Sequence, residues 1–559
     1  MSADKKKSAE ATPSLVPETG TTVLINSHGL HRSLNNRQIQ LIAAGGAIGT
    51  ALFISIGEAL AKGGPANLLL AFTLYASVLA MVNNSIAEMT TFMPVEGGFM
   101  RLAGHWVDDA LGFMAGWNFF FYEAFAIPFE ITALNLAMSF WSEEVTRPGP
   151  TAGVCAGVVV CYALLNIAAV RLYGESEFWL SGGKIILIFI LFAFTFVTMV
   201  GGNPQGDAYG FRYWTTPGAF AEFYTQGSLG RFEGFLACSW SAAFTVVGPE
   251  FISMVASEAK HPRMYIKAAF KTVYFRLCLF FVLGALAVGV VIPYNHPVLV
   301  DIYFGSGSSA TASSSPYVIA MTDLGITVLP HIVNALIMTS MFSAGNTYIY
   351  CATRTLHSLA LEGRAPSFLR HCTKNGVPIY CFCMVMVFPL LSFLQVSSSS
   401  AQVITWLISL ITGGAMINYL VMSVTFLQYY RACKAQGFDR KALPYYGYFQ
   451  PYGAYIAIFV QGIVFLFAGY RSISPWDATG FVTNYMMQML APVLFFGWKI
   501  WKRTSYVRPE NVDLVWEGPV VDAYEAGCVD APKTFWQEMG ELVGLRKRET
   551  APASTYLGR

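Results

Sequence analysis

Apolar residues along this chain come in long blocks, separated by short stretches where the charges collect. The blocks fall at roughly 40–61, 66–91, 110–140, 151–170, 178–200, 233–256, 268–292, 329–351, 378–396, 402–428, 453–471 and 480–501. A helix needs about 20 apolar residues to cross the hydrocarbon core, so the pattern predicts twelve transmembrane helices. An even number puts both termini on one side, and the distribution of Lys and Arg says which. With the N-terminus in the cytosol, the inner segments hold Lys260, Arg263, Lys267 and Lys271, then Arg354, Arg364, Arg370 and Lys374, then Arg431, Lys434, Arg440 and Lys441. The outer loops hold Lys62, Arg147, Arg212, Arg231 and Arg471, and the long outer loop 293–328 has no Lys or Arg. Both termini are therefore expected in the cytosol.

Two blocks carry interruptions that an anchor would not need. Gln40 to Gly57 reads QLIAAGGAIGTALFISIG, with Gly45, Gly46 and Gly49 near its middle. Each glycine costs about 1 kcal/mol against alanine in a helix interior. Unwound backbone survives in a bilayer only where it is buried in protein or lines a cavity. In the sixth block, AFTVVGPEFISM (Ala243 to Met254), Gly248-Pro249 falls at the centre, and proline lacks an N–H and clashes with the preceding turn. Read singly, the first is also consistent with close packing through small residues, the second with an ordinary kink. Together they are interrupted helices five apart, the sequence mark of a transporter site between two halves. Such a site holds anionic groups on half-helix N-termini and cations on freed carbonyls.

Composition supports the membrane class. Of 559 residues, 55% are hydrophobic and 12% charged, against about 25% charged in soluble domains. The net charge of +2 gives no field to recruit nucleic acid. No signal peptide is expected in the polar first 38 residues, which include Lys5, Lys6 and Lys7. The ten cysteines lie mostly in apolar stretches and show neither metal spacing nor a disulfide framework. No nucleophile–base set or phosphate loop stands out, so enzymatic chemistry is not expected. Loop 303–316 (YFGSGSSATASSSP) is low-complexity.

Charges inside spans are costly and usually functional. The candidates are Glu88, Glu123, Glu130, Lys184, Glu250 and Arg276. Glu250, two residues beyond Gly248, suits a cap on freed amides of the next half-helix, or a part in proton coupling. Lys184 follows Gly182-Gly183. Desolvation makes a buried lysine give up its charge readily, as a proton carrier must; a lysine snorkelling to the inner surface fits its position equally. Glu123 and Glu130, seven apart, share one face of the third helix. Glu88 and Arg276 sit near inner helix ends, where structural pairs are expected.

The motifs then resemble a known family. LNNRQIQLIAAGGAIGTALFISIG, AEMTTFMPVEGGF (Ala87 to Phe99), GPEFISMVASEAKHPR (Gly248 to Arg263) and SAGNTYIYCATRTLHSLALEGRAPSFL (Ser343 to Leu369) stand in the order and spacing of the fungal amino-acid permeases, within the amino acid–polyamine–organocation superfamily. The resemblance covers about 33–505. It implies an all-α polytopic fold of twelve transmembrane helices: two inverted five-helix repeats, as in LeuT-like transporters, plus two extra helices. The implied organisation is a cytosolic tail 1–38, a first repeat 39–202, a second repeat 232–428, helices eleven and twelve over 450–501, and a cytosolic tail 502–559. It implies a multi-pass plasma-membrane importer of amino acids, driven by the proton gradient without a cofactor or metal. The substrate carboxylate is expected on the amides of Gly49, Thr50 and Ala51, and the ammonium on carbonyls at Ala47 and Val247. Phe244, beside Gly248, would begin the helix-six break and act as an aromatic gate, with Asn346 facing the substrate side chain. Lys184 matches a helix-five lysine that couples protons in a related bacterial transporter, and Glu130 and Glu250 are the further coupling candidates. Tail lysines Lys5, Lys6, Lys7, Lys533 and Lys547 match a tail region where members are ubiquitinated for endocytosis.

This sequence departs from the family pattern at both breaks. Ala51 stands where glycine is usual, and Gly248-Pro249-Glu250 where a Gly-Thr-Glu-like run is usual. The departures keep two alternatives open: a carnitine or polyamine carrier or regulator, and a non-transporting amino-acid sensor. The sensor reading expects a long N-terminal tail, and the tail here ends near residue 38. Phe119, Phe120 and Phe121 are expected to be mostly packing, with a possible share in an outer gate.

Overall fold

The computed structural model describes residues 15–18, 21–24, 32, 34–168, 170–304, 315–373, 377–397, 400–473, 475–528 and 531–542. Most of the 303–316 loop lies outside these residues, as do Lys5, Lys6, Lys7 and Lys547. The described strands form one antiparallel hairpin in the N-terminal tail, β1 (Leu15–Glu18) and β2 (Thr21–Leu24), with Leu15 opposite Leu24. The remaining described regular structure is helical.

Both predicted interruptions are present. Helix α1 (Asn36–Ala47) ends where Ile48 turns extended (φ −105°, ψ 96°). A π-helical turn (Ala51–Ser55) restarts the run into α2 (Ile56–Phe92). Within α2 two helices meet at Gly64, whose φ of 77° is open to glycine and which precedes Pro65. The short α3 (Gly98–Trp106) leads into α4 (Asp109–Met138), then α5 (Pro148–Ala168), α6 (Val170–Met199) and the single-turn α7 (Arg212–Thr215). The sixth block splits into α8 (Gly227–Thr245) and α9 (Pro249–Val255). Between them Val246 is extended and Gly248 has φ 146°, a region that side-chain-bearing residues avoid. Proline suits the first turn of α9, where its missing N–H costs nothing.

Helices α10 (Pro262–Arg276) and α11 (Leu283–Val291) are joined through π-helical Leu277–Val282. The 293–328 connection contains α12 (Pro297–Phe304) and α13 (Pro316–Asp323). Then come α14 (Leu329–Leu361), α15 (Ile379–Val385), α16 (Ser400–Ala435), α17 (Tyr452–Phe467) and α18 (Ala478–Lys502). The 378–396 block is not a uniform α-helix: beyond α15 it tightens into a 3-10 run, Phe388–Val396, with Pro389 in its first turn. The C-terminal tail adds α19 (Gly518–Gly527) and α20 (Phe535–Leu542).

Among the described residues, nine helical stretches are long and apolar enough to cross a membrane, Ala51–Phe92 being one of them. Burial sorts them. The apolar windows of Asp109–Met138 and Gln402–Ala435 are each 83% buried, whereas those of Pro148–Ile167 and Tyr452–Ser472 are 17% and 28% buried. So α4 and α16 form the centre, with α14 and α18 also packed on α4, while α5 and α17 present apolar sides outward, as lipid-facing helices do.

Charged pairs clasp one end of the bundle. The Arg440 guanidinium donates twice to Glu88 (2.7 and 2.8 Å). Arg364 bonds Asp109 and Glu362, and Lys499 bonds Asp108. Glu88 thus has a structural partner, as expected of it. Arg276 donates instead to the Ala269 carbonyl (3.0 Å) and Thr272 (3.1 Å).

Candidate functional site

The two breaks open onto one small cavity. Gly49 and Ala51 line it from the first break, and Phe244, Thr245 and Val247 from the second. Helix α4 adds Tyr122, Ala126, Phe129 and Glu130; Tyr348 of α14 and Ile411 of α16 complete it. The walls that come from the breaks present what a break leaves free. The turn beginning at Thr50 presents N–H groups without intrahelical partners, and the ends of α1 and α8 present carbonyls in the same condition. The cavity therefore offers a positive helix start and negative helix ends within one enclosure.

Side chains fix the breaks in place. The Thr50 hydroxyl donates to the Glu130 carboxylate. A methyl group on Gly49 would come within 3.1 Å of Glu130 Oε1 and 3.5 Å of Ala344 Cβ, so glycine admits the close approach of α4 and α14. Ser340 donates to the Ile48 carbonyl (3.5 Å). Lys184 is buried; its ammonium donates to the Gly45 carbonyl (2.6 Å) and stands 3.9 Å from Glu177. Glu177 in turn accepts from Ser343 (2.6 Å) and Ser181 (3.0 Å). Lys184 is thus tied under α1 and does not snorkel to the surface. Sequence reading passed over Glu177 because it sits at the edge of its apolar block.

At the second break, the Gly248 N–H donates to Glu250 Oε2 (3.1 Å), which is the capping role expected of Glu250. Glu250 Oε1 also accepts from the hydroxyls of Tyr419 (2.9 Å) and Tyr122 (3.4 Å). The remaining expected residues divide. Ala47 closes α1 at the first break. Asn346 does not line the cavity: its Oδ1 accepts from Asn166 of α5 (2.8 Å), and the α14 residue at the cavity is Tyr348.

Phe244 also lines a second, larger cavity, with Glu58, Lys62, Tyr224, Glu233, Trp240 and Arg471 among its walls. Phe244 packs edge-on against Phe129, ring centroids 5.3 Å apart at 90°. Phe244 is thus shared by the two spaces, with Phe129 behind it on the side of the small cavity. The phenylalanine run of α4 takes no part: Phe119 packs on Phe99, and Phe120 and Phe121 on Phe388. Phe129, Tyr122 and Tyr348 were not anticipated, since an aromatic in an apolar helix carries no mark of the face it presents.

A helical membrane body with two broken helices around a central cavity is the build of a transporter. The chain belongs to the amino acid permease family, whose family model matches residues 38–508. It is 42% identical over 524 residues to the general amino acid permease AGP2 of Saccharomyces cerevisiae, covering 92% of this chain and 86% of that protein. It is 37% identical to the proline-specific permease of Emericella nidulans (86% and 88% covered) and 32% identical to the lysine-specific permease of S. cerevisiae (92% and 82% covered). Among solved structures it is similar to the Eremococcus coleocola manganese transporter, with a TM-score of 0.50, 12% identity, and 88% and 95% of the two chains covered. That likeness is one of fold alone. A permease moves its cargo unchanged, and this chain is a transporter, not an enzyme.

Proposed function

We propose that the protein imports amino acids across a fungal plasma membrane, coupled to protons, by alternating access around the cavity between the two breaks. The observation that supports the reading is the shared cavity: Gly49 and Ala51, at the helix start of the first break, line it together with Thr245 and Val247, at the helix end of the second. An α-amino acid presents a carboxylate and an ammonium a few ångströms apart, and this arrangement complements both. Phe244 with Phe129 serves as the gate toward the larger cavity.

The reading includes twelve spans, with the Ala51–Phe92 run counted as the end of one and the whole of the next. It includes two inverted repeats over 39–202 and 232–428, supported by breaks five spans apart, with helices eleven and twelve over 450–501. Both termini are placed in the cytosol by the Lys and Arg bias. Lys184, Glu130 and Glu250 are the coupling candidates; each touches a break or its neighbour. Of the tail lysines, Lys533 pairs with Glu541 (2.7 Å), and the tails remain the candidate ubiquitination targets. Glu130 inside the cavity keeps cargo with additional positive charge, including carnitine and polyamines, within the panel to be tested.

The test is uptake of radiolabelled amino acids, carnitine and spermidine by yeast lacking its own permeases, with and without a protonophore. Saturable, protonophore-sensitive uptake of an amino acid is expected. No uptake of any compound with the protein at the cell surface would overturn the reading in favour of a sensor.

A further inference from the structure

Four acidic groups lie in or beside the membrane core of this protein near the breaks, and three are provided for. Glu130 holds the Thr50 hydroxyl. Glu177 holds Ser181, Ser343 and the nearby Lys184 ammonium. Glu250 accepts from an amide and two phenol hydroxyls. Glu123 differs. It is fully buried, and neither carboxylate oxygen has a hydrogen-bond partner among the described residues.

The charged group that acts on Glu123 electrostatically is Glu250 of α9, which is of like sign. The other titratable groups within reach are Tyr122 on its own helix and Tyr348 and Cys351 of α14, with Tyr419 of α16 joined to Glu250. Among the described residues, no cation acts on Glu123 itself. An isolated carboxylate transferred into such surroundings neutralises rather than remain charged. Two carboxyl groups that interact at low dielectric share one proton between them. Glu250 has three donors to stabilise its charge and Glu123 has none, so the shared proton belongs on Glu123. Glu123 lines neither the central cavity nor the larger one, and a proton needs no cavity.

We propose that Glu123 is the residue that holds the transported proton in this conformation, with Glu250 as its acidic neighbour. The pairing gives the coupling a physical route. Glu250 is bonded to the Gly248 amide inside the second break, so a rearrangement of that break alters how well Glu250 is stabilised, and with it the affinity of the pair for its proton. Glu123 lies two helical turns along α4 from Glu130, on the same face, so the proton site is beside the cargo site without being part of it. The proposal rests on the proton-coupled reading above.

Glu123→Gln keeps the neutral shape and removes the exchangeable proton. The variant is expected to bind and exchange substrate while losing concentrative uptake, its accumulation at acidic external pH falling about tenfold or more, with little remaining dependence on external pH. Glu123→Asp should restore both. Accumulation and a pH profile like those of the parent protein in Glu123→Gln would overturn the proposal. If the parent protein itself accumulates substrate without sensitivity to a protonophore, the proton-coupled reading fails first, and the proposal with it. A second measurement does not depend on the variant folding. Dicyclohexylcarbodiimide, which modifies protonated carboxyls in apolar surroundings, should label Glu123 and spare Glu250 in the purified parent protein; labelling of Glu250 with Glu123 unmodified would overturn the assignment.

Discussion

Gly248 has φ 146° at the point where the second break turns into α9. Any side chain there is strained by about 1–3 kcal/mol, and the amide that Glu250 accepts would shift with it. Gly248→Ala is therefore expected to lower the melting temperature of the purified protein and to weaken uptake more than it weakens folding. A melting temperature and uptake rate equal to the parent's would remove the conformational argument. Lys184 is tied to the Gly45 carbonyl and lies beside Glu177. Lys184→Ala unties α1 from α6 and leaves Glu177 without its ammonium. The expected result is a flattened pH dependence of uptake; an unchanged profile would take Lys184 out of the coupling. At this scale the two breaks were legible: Gly49, Gly248 and Pro249 are marked because glycine and proline in an apolar helix have few other uses, while Thr50, Ala51 and Val247 follow only from the family resemblance. Tyr122, Phe129 and Tyr348 were hidden, because α4 and α14 scatter their apolar and polar residues around the helix and give no periodic sign of which face meets the cavity. Asn346 is expected at the substrate side chain only from the family resemblance, and here its Oδ1 accepts from Asn166.

Among the elements, the two broken helices are held by different means. The first is pinned by side chains from α4, α6 and α14; the second is capped by its own Glu250. Beyond α9, Glu258 accepts from Arg354 Nε (2.7 Å) and from the Tyr350 hydroxyl (2.8 Å), joining the end of the second break to α14. The Arg354 guanidinium also lies 3.4 Å over the Tyr350 ring. Removing one partner from a buried pair costs about 3–5 kcal/mol because the other is left uncompensated. Arg354→Ala is expected to weaken the closure between α9 and α14, so that preloaded substrate leaves faster and accumulation falls. Equal efflux from the two proteins would show that this pair does not close the pathway. The interrupted blocks were readable in advance, and so was the existence of each apolar block. The joint at Gly64 and the 3-10 tightening after α15 were not, since hydropathy counts residues and is blind to where a helix bends. Helix α3 escaped for the opposite reason: nine residues are too few to register as a span.

For the whole molecule, the unexpected feature is how far the C-terminal tail reaches back. The Val507 N–H donates to the Val107 carbonyl (2.9 Å), and Trp106 Nε1 to the Asp513 carbonyl (3.2 Å). Trp516 stacks on His105 (3.9 Å), and Arg263 pairs with Asp522 and Glu525. Further on, the Glu538 carboxylate accepts from the backbone N–H groups of Asn36 (3.1 Å) and Arg37 (2.6 Å). A tail residue thus caps the start of α1, the half-helix whose other end forms the site. Caps of this kind contribute about 1 kcal/mol. Glu538→Ala is expected to destabilise that contact by this order and to speed limited proteolysis of the tail; an unchanged cleavage rate would show the contact to be idle. A charge-rich tail reads as solvated in sequence, because its partners, among them the backbone amides of Asn36 and Arg37, lie hundreds of residues away. The central claim is that cargo sits on the helix start of the first break, at Thr50 and Ala51, opposite the second break. The direct measurement is radiolabelled amino-acid uptake by Thr50→Trp beside the parent protein, with surface amounts matched. The account predicts that the indole fills the cavity and abolishes uptake while the protein still reaches the surface. Normal transport by that variant would contradict it.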